Sequence, residues 1–320
     1  MQEIASEQLQ KSQDSQKQTP QIGQNTRFNA LPVQASEPAE VARSTETKNN
    51  PSQREQKTEI VNWIEEIAKD PKNLFIGAKG GTGKGIFLSN YLRYRKQNQP
   101  KLRAFIIDPK CDPKERGYWN EDWIEYRGFS AIAMDTEEIV HKLRELFAEY
   151  IGLMGNPEEA WLLVCDECLL VTDELSNASD RGTKRLLASQ ITRVISVGDS
   201  FDRNICVVSQ SANAGDIGLS AGVMKTLTKI ILFRDGDEET LNHLHRHGQI
   251  VVEPTKPVIK DVLQRSPRGR GAYVSNKFFP MPELPNYSGY DRDKRSMIQN
   301  EKPSPSMAEI VASRVKDSQN

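Results

Sequence analysis

Residues 74–92 of the chain read LFIGAKGGTGKGIFLSNYL. An apolar run enters a glycine-rich turn, a lysine follows, and the apolar residues then recur at helical spacing. Glycines between a strand and a helix let backbone N–H groups turn towards phosphate oxygens, and the helix N-terminus adds its dipole. The stretch therefore predicts a phosphate-binding loop. We expect nucleotide to bind along eight consecutive residues: Ala78, Lys79, Gly80, Gly81, Thr82, Gly83, Lys84 and Gly85.

One position of this loop departs from the usual pattern. A phosphate-binding loop normally carries Ser or Thr directly after its lysine, because that hydroxyl binds Mg²⁺, and this chain has Gly85 there. Lys84 would still reach the β- and γ-phosphates of ATP. Water could replace the missing hydroxyl, because Mg²⁺ keeps several waters readily. We therefore expect ATP and Mg²⁺ as cofactors, and the loop alone leaves turnover open.

Two later strands end in groups that such a loop needs. WLLVCDE, residues 161–167, ends in Asp166 and Glu167, and NICVVSQ, residues 204–210, ends in Gln210. The first carboxylate would hold Mg²⁺, the second would act as the base for the attacking water, and the glutamine would sense the γ-phosphate. Acidic pairs also cap helices and buried glutamines are common. The phosphate-binding loop about 80 residues upstream favours the catalytic interpretation.

The composition of the whole chain limits the remaining possibilities. Its 320 residues are 37% hydrophobic and 27% charged, and no apolar run approaches the ~20 residues that span a bilayer. MQEIASEQLQ at the N-terminus lacks the features of a signal peptide. We therefore expect a cytoplasmic protein without an integral membrane segment. Cys165 and Cys168 form a C-x-x-C, but without a second such pair zinc or redox chemistry is disfavoured.

Alternation of apolar strands and amphipathic helices predicts an α/β fold with a mostly parallel sheet and helices on both faces. We place this domain at residues 56–290, between two polar tails at 1–55 and 291–320 that we expect to be disordered. The N-terminal tail could dock a protein partner. Asp135 and Glu138 resemble a capping box at the start of one helix, a second helix is expected over 181–197, and QIVVEP at 249–254 is expected to be a strand.

Several segments between residues 74 and 280, taken in order, resemble the FtsK–HerA family of ring-forming DNA-pumping ATPases, which includes conjugative coupling proteins. LRAFIIDPK is similar to the family's second strand, LLVCDE to its Walker B strand, and ITRVISVGDSFDRNICVVSQS to the helix and strand before its sensor glutamine. LTKIILFRDGDEETLNHL and RGRGAYVSNKFF are similar to later segments. The resemblance implies a RecA-like P-loop NTPase fold, a homo-oligomeric ring such as a hexamer, and double-stranded DNA as the partner.

The resemblance also implies an arginine finger reaching a neighbouring subunit. VGDS occupies the place where the family often has this arginine, whereas Arg193 fits an earlier family arginine and Arg203 lies nearby. A basic stretch could track DNA phosphates without sequence preference, although a solvated segment or a subunit contact explains it equally well. Its members are Lys256, Lys260, Arg265, Arg268, Arg270 and Lys277.

Three functions remain open from the sequence. The first is a motor ATPase that moves double-stranded DNA in a mobile element, a plasmid or a conjugation-like system. The second is a nucleotide-dependent binding or assembly switch with weak or no hydrolysis, because Gly85 lacks the Mg²⁺-binding hydroxyl. The third is a partition ATPase of the deviant P-loop type, which Lys79 favours and which Glu167 and the long leader oppose.

Overall fold

The computed structural model describes residues 62–153, 158–198, 203–211 and 213–298. The predicted tail at 1–55 and the part of the C-terminal tail beyond residue 298 lie outside the described residues. Their predicted disorder and the docking role of the first tail therefore stay predictions.

Eight strands of the described part form one mixed sheet in the order β3-β2-β4-β5-β1-β6-β7-β8. The pairs from β3 through β6 are parallel, whereas β7 and β8 run antiparallel at one edge. A separate hairpin joins β9 and β10. The strands are β1 Leu74–Ala78, β2 Leu102–Asp108, β3 Ile124–Gly128, β4 Ala160–Cys165, β5 Arg203–Ser209, β6 Thr228–Arg234, β7 Arg270–Val274, β8 Lys277–Pro280, β9 Tyr290–Asp291 and β10 Ser296–Met297.

Helices cover both faces of this sheet, which confirms the predicted α/β class. One core contains the inward side chains of α1 and α2, and the other contains those of α3, α4, α6, α8 and α9. Alternate residues of β4 enter opposite cores, Leu163 on one side and Leu162 on the other. The helices are α1 Trp63–Lys69, α2 Lys84–Asn98, α3 Thr136–Leu153, α4 Cys168–Ser176, α5 Arg181–Lys184, α6 Leu186–Gly198, α7 Ala221–Lys225, α8 Glu238–Arg246 and α9 Lys256–Arg265.

The strand order brings the predicted site residues to one edge of the sheet. β5 lies between β1 and β4, and all three strands are parallel. Because parallel strands end at the same edge, the glycine-rich loop after β1, the acidic pair after β4 and Gln210 after β5 become neighbours. All five residues of β1 are buried, so the loop starts from a fixed base.

Three expectations about elements need correction. QIVVEP is not a strand, because Val251 and Val252 are 70% and 38% exposed and only Ile250 enters the core. The helix expected over 181–197 is broken at Arg185 into α5 and α6. The described structure also continues past residue 290 into the β9–β10 hairpin. Among the described residues, no helix is long and apolar enough to cross a membrane.

Candidate nucleotide site

The glycine-rich loop has the backbone of an anion cradle. Gly81 and Gly83 have φ angles of +84° and +94°, a region that glycine enters without steric cost. Thr82 is fully buried and donates its hydroxyl to the Lys79 carbonyl at 2.7 Å, which closes the turn. The first N–H groups of α2 point into the loop without intrahelical partners. This set of donors fits the phosphates of a nucleotide.

Tyr118 occupies the place next to Gly85. A Cβ atom added to Gly85 would lie 2.5 Å from the Tyr118 ring, closer than real Cβ contacts come. That ring is 5% exposed and comes from the loop after β2. Burial raises the pKa of the Tyr118 hydroxyl, opposed by its hydrogen bond with Ser288. The missing hydroxyl is therefore accompanied by an aromatic ring that fills the same space.

Lys84 lies between the two predicted carboxylates. Its Nζ is 3.0 Å from Asp166 Oδ1 and 2.7 Å from Glu167 Oε1. The three side chains are 13%, 9% and 4% exposed, so water screens these pairs little. Charges this close to one another in a largely buried environment strongly shift one another's pKa values. The structure thus brings the loop lysine and the two carboxylates that follow β4 into one ionic cluster.

The pKa values of the two carboxylates in this cluster shift in opposite directions. Burial raises the pKa of Asp166, and the nearby Lys84 ammonium offsets only part of this effect. Burial would also raise the pKa of Glu167, but Lys84 and Gln210 outweigh it and hold that pKa below its usual value. For Lys84, burial lowers the pKa and the two carboxylates more than reverse this, so it stays charged. Glu167 is therefore the carboxylate that remains ionised most readily.

Gln210 and Glu167 are in direct contact. Gln210 donates its side-chain N–H to Glu167 Oε2 at 2.9 Å. Glu167 itself has a left-handed backbone, with φ 46° and ψ 41°, at the start of α4. A non-glycine residue in this region is uncommon and is often found at functional sites. The carboxylate is thereby aimed at the loop, as a general base for water would be.

The end of β2 adds residues that the sequence did not assign to the site. Asp108 is buried and accepts hydrogen bonds from the backbone of Lys110 and Cys111 and from the Tyr126 hydroxyl. It thereby shapes the turn that carries Lys110, which pairs with Glu115 at 3.1 Å. Both Lys110 and Glu115 line the cavity over the loop. The Asp-Pro-Lys pattern was the available signal for them.

The C-terminal segment also lines this cavity, which the sequence did not indicate. The cavity measures about 100 Å³. Two arginines of the predicted DNA-binding stretch face it instead of forming a separate patch. The lining residues from this segment are Arg268, Arg270, Asn286, Tyr290, Asp291, Arg292 and Asp293.

The other predicted DNA-binding residues lie elsewhere. Lys256, Lys260 and Arg265 are exposed on α9, and Lys277 is exposed at the start of β8. Arg265 pairs with Asp261 one helical turn earlier at 2.8 Å. The six basic residues therefore divide between the loop cavity and an outer surface.

The two candidate arginine fingers differ in accessibility. Arg193 is exposed on α6. Arg203 is 1% exposed and donates to the Glu159 carbonyl at the amino end of β5, opposite the edge that carries the loop. A residue that reaches a neighbouring subunit must be exposed, so the placement of Arg203 does not suit that role.

Metal chemistry has little support apart from the Mg²⁺ prediction. No group of three or more His, Cys, Asp or Glu side chains among the described residues is arranged to hold a metal ion. Cys165 and Cys168 are buried free thiols, and burial raises the pKa of both above the usual value. Thiolates are the reactive and ligating form, so this environment opposes redox or zinc chemistry at the C-x-x-C. The role of Asp166 as a Mg²⁺ ligand stays a prediction; in this structure its carboxylate pairs with Lys84 at 3.0 Å.

Lys79 does not join the ionic cluster of Lys84, Asp166 and Glu167. Its Nζ is 2.5 Å from Thr240 Oγ1 and 3.2 Å from Asp237 Oδ1, at the start of α8. The second lysine of the loop is therefore tied to the same chain. This arrangement does not favour the partition-ATPase interpretation, which relied on Lys79.

No family model matches the chain, and no curated protein matches it. Solved structures do resemble it. The conjugation coupling protein TcpA of pCW3, solved as a monomer with ATPγS, is 14% identical over 72% of this chain and 63% of its own, with a TM-score of 0.41. EccC of Thermomonospora curvata (ATPases 2 and 3, with a signal sequence peptide) is 15% identical over 76% and 41%, with a TM-score of 0.40.

EssC of Geobacillus thermodenitrificans (ATPases 2 and 3) is 13% identical over 68% of this chain and 40% of its own, with a TM-score of 0.43. The chain thus spans less than two thirds of the length of each of these proteins. At this distance, conclusions about function depend on the residues of the chain itself. These solved neighbours are FtsK–HerA-type ATPases, the family that the sequence resembles.

Proposed function

We propose that the chain is an ATP-hydrolysing motor of the P-loop type. The observation that carries this proposal is the cluster of Lys84, Asp166, Glu167 and Gln210, with contacts of 2.7–3.0 Å at the edge of a parallel sheet. These four side chains come from the ends of three strands, and each has the chemistry that phosphoryl transfer to water requires.

Each residue has a distinct role in this proposal. The loop backbone from Ala78 to Gly85 and the Lys84 ammonium bind the phosphates of ATP. Asp166 would hold Mg²⁺, and that ion would neutralise charge on the phosphates. Glu167, kept ionised by its surroundings, accepts a proton from the attacking water. Gln210 orients Glu167 and is positioned to respond to the γ-phosphate.

We further propose that the motor is a homo-oligomeric ring that moves double-stranded DNA. The sequence resemblance to DNA-pumping ATPases supports this, and Arg193 is exposed, as a contact between subunits requires. Lys256, Lys260 and Arg265 on α9 are available to DNA phosphates, because counterion release favours such contacts without sequence preference. A mobile element, a plasmid or a conjugation-like system is the setting that fits this activity.

The dependence of turnover on DNA tests the motor. We expect the rate of ATP hydrolysis to rise with duplex length at a constant nucleotide concentration, because a translocating ring spends longer on long DNA. Triple Ala substitution of Lys256, Lys260 and Arg265 should weaken the stimulation and reduce its salt dependence, while the rate without DNA is unchanged. Stimulation independent of duplex length would contradict translocation.

A second function is favoured by one specific observation. The Tyr118 ring lies 2.5 Å from where a Cβ on Gly85 would be and so obstructs a side chain at this position, and this suits a nucleotide-dependent assembly switch with slow or no hydrolysis. On this alternative, ATP binding would change the oligomeric state of the protein. Wild type would then hydrolyse ATP no faster than the Glu167→Gln variant. Size-exclusion chromatography with ATPγS, compared with ATP turnover, separates the two functions.

A further inference from the structure

The last described segment of the chain closes the loop cavity. Residues 284–298, which we call the strap, pass over the loop, and their side chains line its cavity together with Lys84. That cavity measures about 100 Å³, whereas pockets for organic ligands usually measure ~300–1,000 Å³. A nucleotide that binds the loop therefore requires part of this lining to shift, and the strap contributes Asn286, Tyr290, Asp291, Arg292 and Asp293 to it.

The two ends of the strap are held in different ways. At its base, Asn90 donates to the Pro285 carbonyl at 2.9 Å, and the Arg93 guanidinium lies 3.6 Å from the centre of the Tyr287 ring. At its tip, Arg292 pairs with Asp112 and Glu115 at 2.9 and 2.7 Å. Ion pairs with exposed members contribute little to stability. The tip can therefore detach while the base stays in place.

The loop has two arginines beside its glycines. A Cβ atom on Gly83 would lie 3.3 Å from Arg270 Nη1, and one on Gly81 would lie 2.6 Å from Arg234 Nη1. Arg234 and Arg270 are also directly paired across β6 and β7. Like charges placed directly opposite each other in a sheet are unfavourable. Two guanidinium groups therefore lie beside the predicted phosphate-binding loop. An anion bound there would reduce the repulsion between them.

Only one of these arginine side chains pairs with a carboxylate among the described residues. Arg270 Nη2 donates to both Asp293 carboxylate oxygens at 2.9 Å, whereas Arg234 contacts a carboxylate of that set only through its backbone N–H, which donates to Asp237. Arg270 is 12% exposed and Asp293 is 54% exposed. The less exposed member, which lies beside the loop, is therefore the arginine, and the more exposed member is the carboxylate. A phosphate group presents the same kind of oxygens to the guanidinium.

We propose that Arg270 is a phosphate-binding residue for the nucleotide on its own subunit's loop, and that Asp293 occupies it until nucleotide arrives. Phosphate oxygens and the Asp293 carboxylate compete for one guanidinium, so nucleotide binding releases the strap tip. This inference rests on the proposed ATP site. It adds two residues to the cluster of Lys84, Asp166, Glu167 and Gln210: Arg270 as a phosphate ligand from the same subunit, and Asp293 as the group that competes with phosphate for it.

Opposite effects of two substitutions test the proposal. ATPγS binding is measured by calorimetry on the full chain for wild type, Arg270→Ala and Asp293→Asn. We expect Arg270→Ala to weaken affinity about tenfold, the loss of one charge-assisted contact, and Asp293→Asn to strengthen it several-fold. If the pair were only structural, both substitutions would weaken binding, and that result would overturn the proposal.

A matched control pair lies at the far edge of the sheet. Arg127 and Glu149 form a 2.6 Å ion pair beside β3, four strands away from β1. Arg127→Ala and Glu149→Gln change the net charge as the test variants do, and we expect affinity to change less than twofold. A gain for Glu149→Gln equal to that for Asp293→Asn would reduce the effect to net charge and contradict the proposal.

Failure of the ATP site and failure of this inference give different results. If wild type does not bind ATPγS, or Lys84→Ala binds it as well, the proposed function fails. If wild type binds, Lys84→Ala does not and Arg270→Ala binds normally, only the role of Arg270 fails. Hydrogen exchange adds a second readout: amides of residues 290–295 should exchange faster with ATPγS, and slower exchange there would contradict release of the tip.

Discussion

At the residue scale, the glycine at position 85 is explained by the Tyr118 ring packed beside it. The sequence shows a glycine where a hydroxyl is usual, and from the sequence alone a serine there would restore a Mg²⁺ ligand. The structure reverses this expectation, because any Cβ at this position meets a buried aromatic ring at 2.5 Å. The loop and the ring are 33 positions apart along the chain, so no local pattern links them.

We predict that Gly85→Ser lowers the free energy of unfolding by about 1–3 kcal/mol, the usual cost of overpacking, and weakens ATP binding. Tyr118→Ala empties a buried position and costs stability itself, but it should cost less in the Gly85→Ser chain than in wild type and should recover ATP affinity there, since it removes the obstructing ring. Urea unfolding and ATPγS calorimetry on the two single variants and the double variant measure this. A Gly85→Ser protein that is as stable as wild type and hydrolyses ATP faster would contradict it.

The second residue-scale prediction concerns Lys84. Lys84→Ala leaves two buried carboxylates facing each other, and we expect the free energy of unfolding to fall by about 3 kcal/mol at pH 8. Lys142→Ala, which breaks an exposed pair with Glu145, should cost less than about 0.5 kcal/mol. Urea unfolding of both variants provides the comparison.

The Lys84→Ala loss should shrink on acidification. In wild type the pKa of Lys84 is raised, so its stabilising contribution is complete throughout pH 5–8 and is lost only at alkaline pH. The pKa of Asp166 is already raised to about 6 and rises further in the variant. Its protonation below that pH removes one of the two charges. A loss that is constant or larger at pH 5.5 would contradict this account of the cluster.

At the scale of elements, the start of α3 shows what a sequence pattern can predict. Asp135 and Glu138 exchange hydrogen bonds of 2.9 Å with each other's backbone N–H groups, which confirms the capping box. Both partners lie within one turn, so local sequence contains the whole motif. The prediction of a strand at QIVVEP was wrong, because apolar character alone does not show which residues will be buried. Two valines of this segment are exposed.

Asp135→Ala should lower the free energy of unfolding by about 1 kcal/mol, because a helix N-terminus loses its side-chain acceptor. Asp135→Asn should change it by only a few tenths of a kcal/mol, since asparagine caps equally well. Because α3 lies on the face opposite α2 and its loop, ATPγS affinity should stay as in wild type. Equal losses for the two variants, measured by urea unfolding, would argue against capping as the cause.

At the scale of the whole molecule, Arg193 is the candidate for contact between subunits. An arginine supplied by a neighbour can contribute about 10³–10⁵ in rate. We predict that Arg193→Ala loses most DNA-stimulated turnover while ATPγS affinity is kept. Arg203→Ala should instead lower the stability of the isolated chain, because that side chain is 1% exposed.

Mixing two inactive variants tests the ring directly. In a mixture of Arg193→Ala and Glu167→Gln subunits, some sites combine an intact Glu167 with an intact Arg193 from the neighbour. DNA-stimulated turnover should therefore reappear in the mixture. A mixture no more active than either variant alone would argue against an arginine finger at this position.

The sequence predicted the sheet and the strand-end cluster because periodicity and motifs are local, and because parallel strands end at one edge. It could not predict the strap, which lines the loop cavity although it lies about 200 positions further along the chain. Arg270 shows the same limit: its neighbours in sequence suggested a basic DNA-binding surface, whereas the fold places it beside Gly83. Arg270 reaches this position because β7 pairs antiparallel with β6, and that pairing joins residues far apart in the sequence.

The most direct measurement is ATP turnover by wild type and Glu167→Gln, with ATPγS affinity measured on the same samples. The account predicts that wild type hydrolyses ATP, and that Glu167→Gln binds with similar affinity but is slower by about 10²–10⁴-fold, the usual contribution of a general base. ATP binding by wild type without turnover, or equal rates for the two proteins, would contradict it.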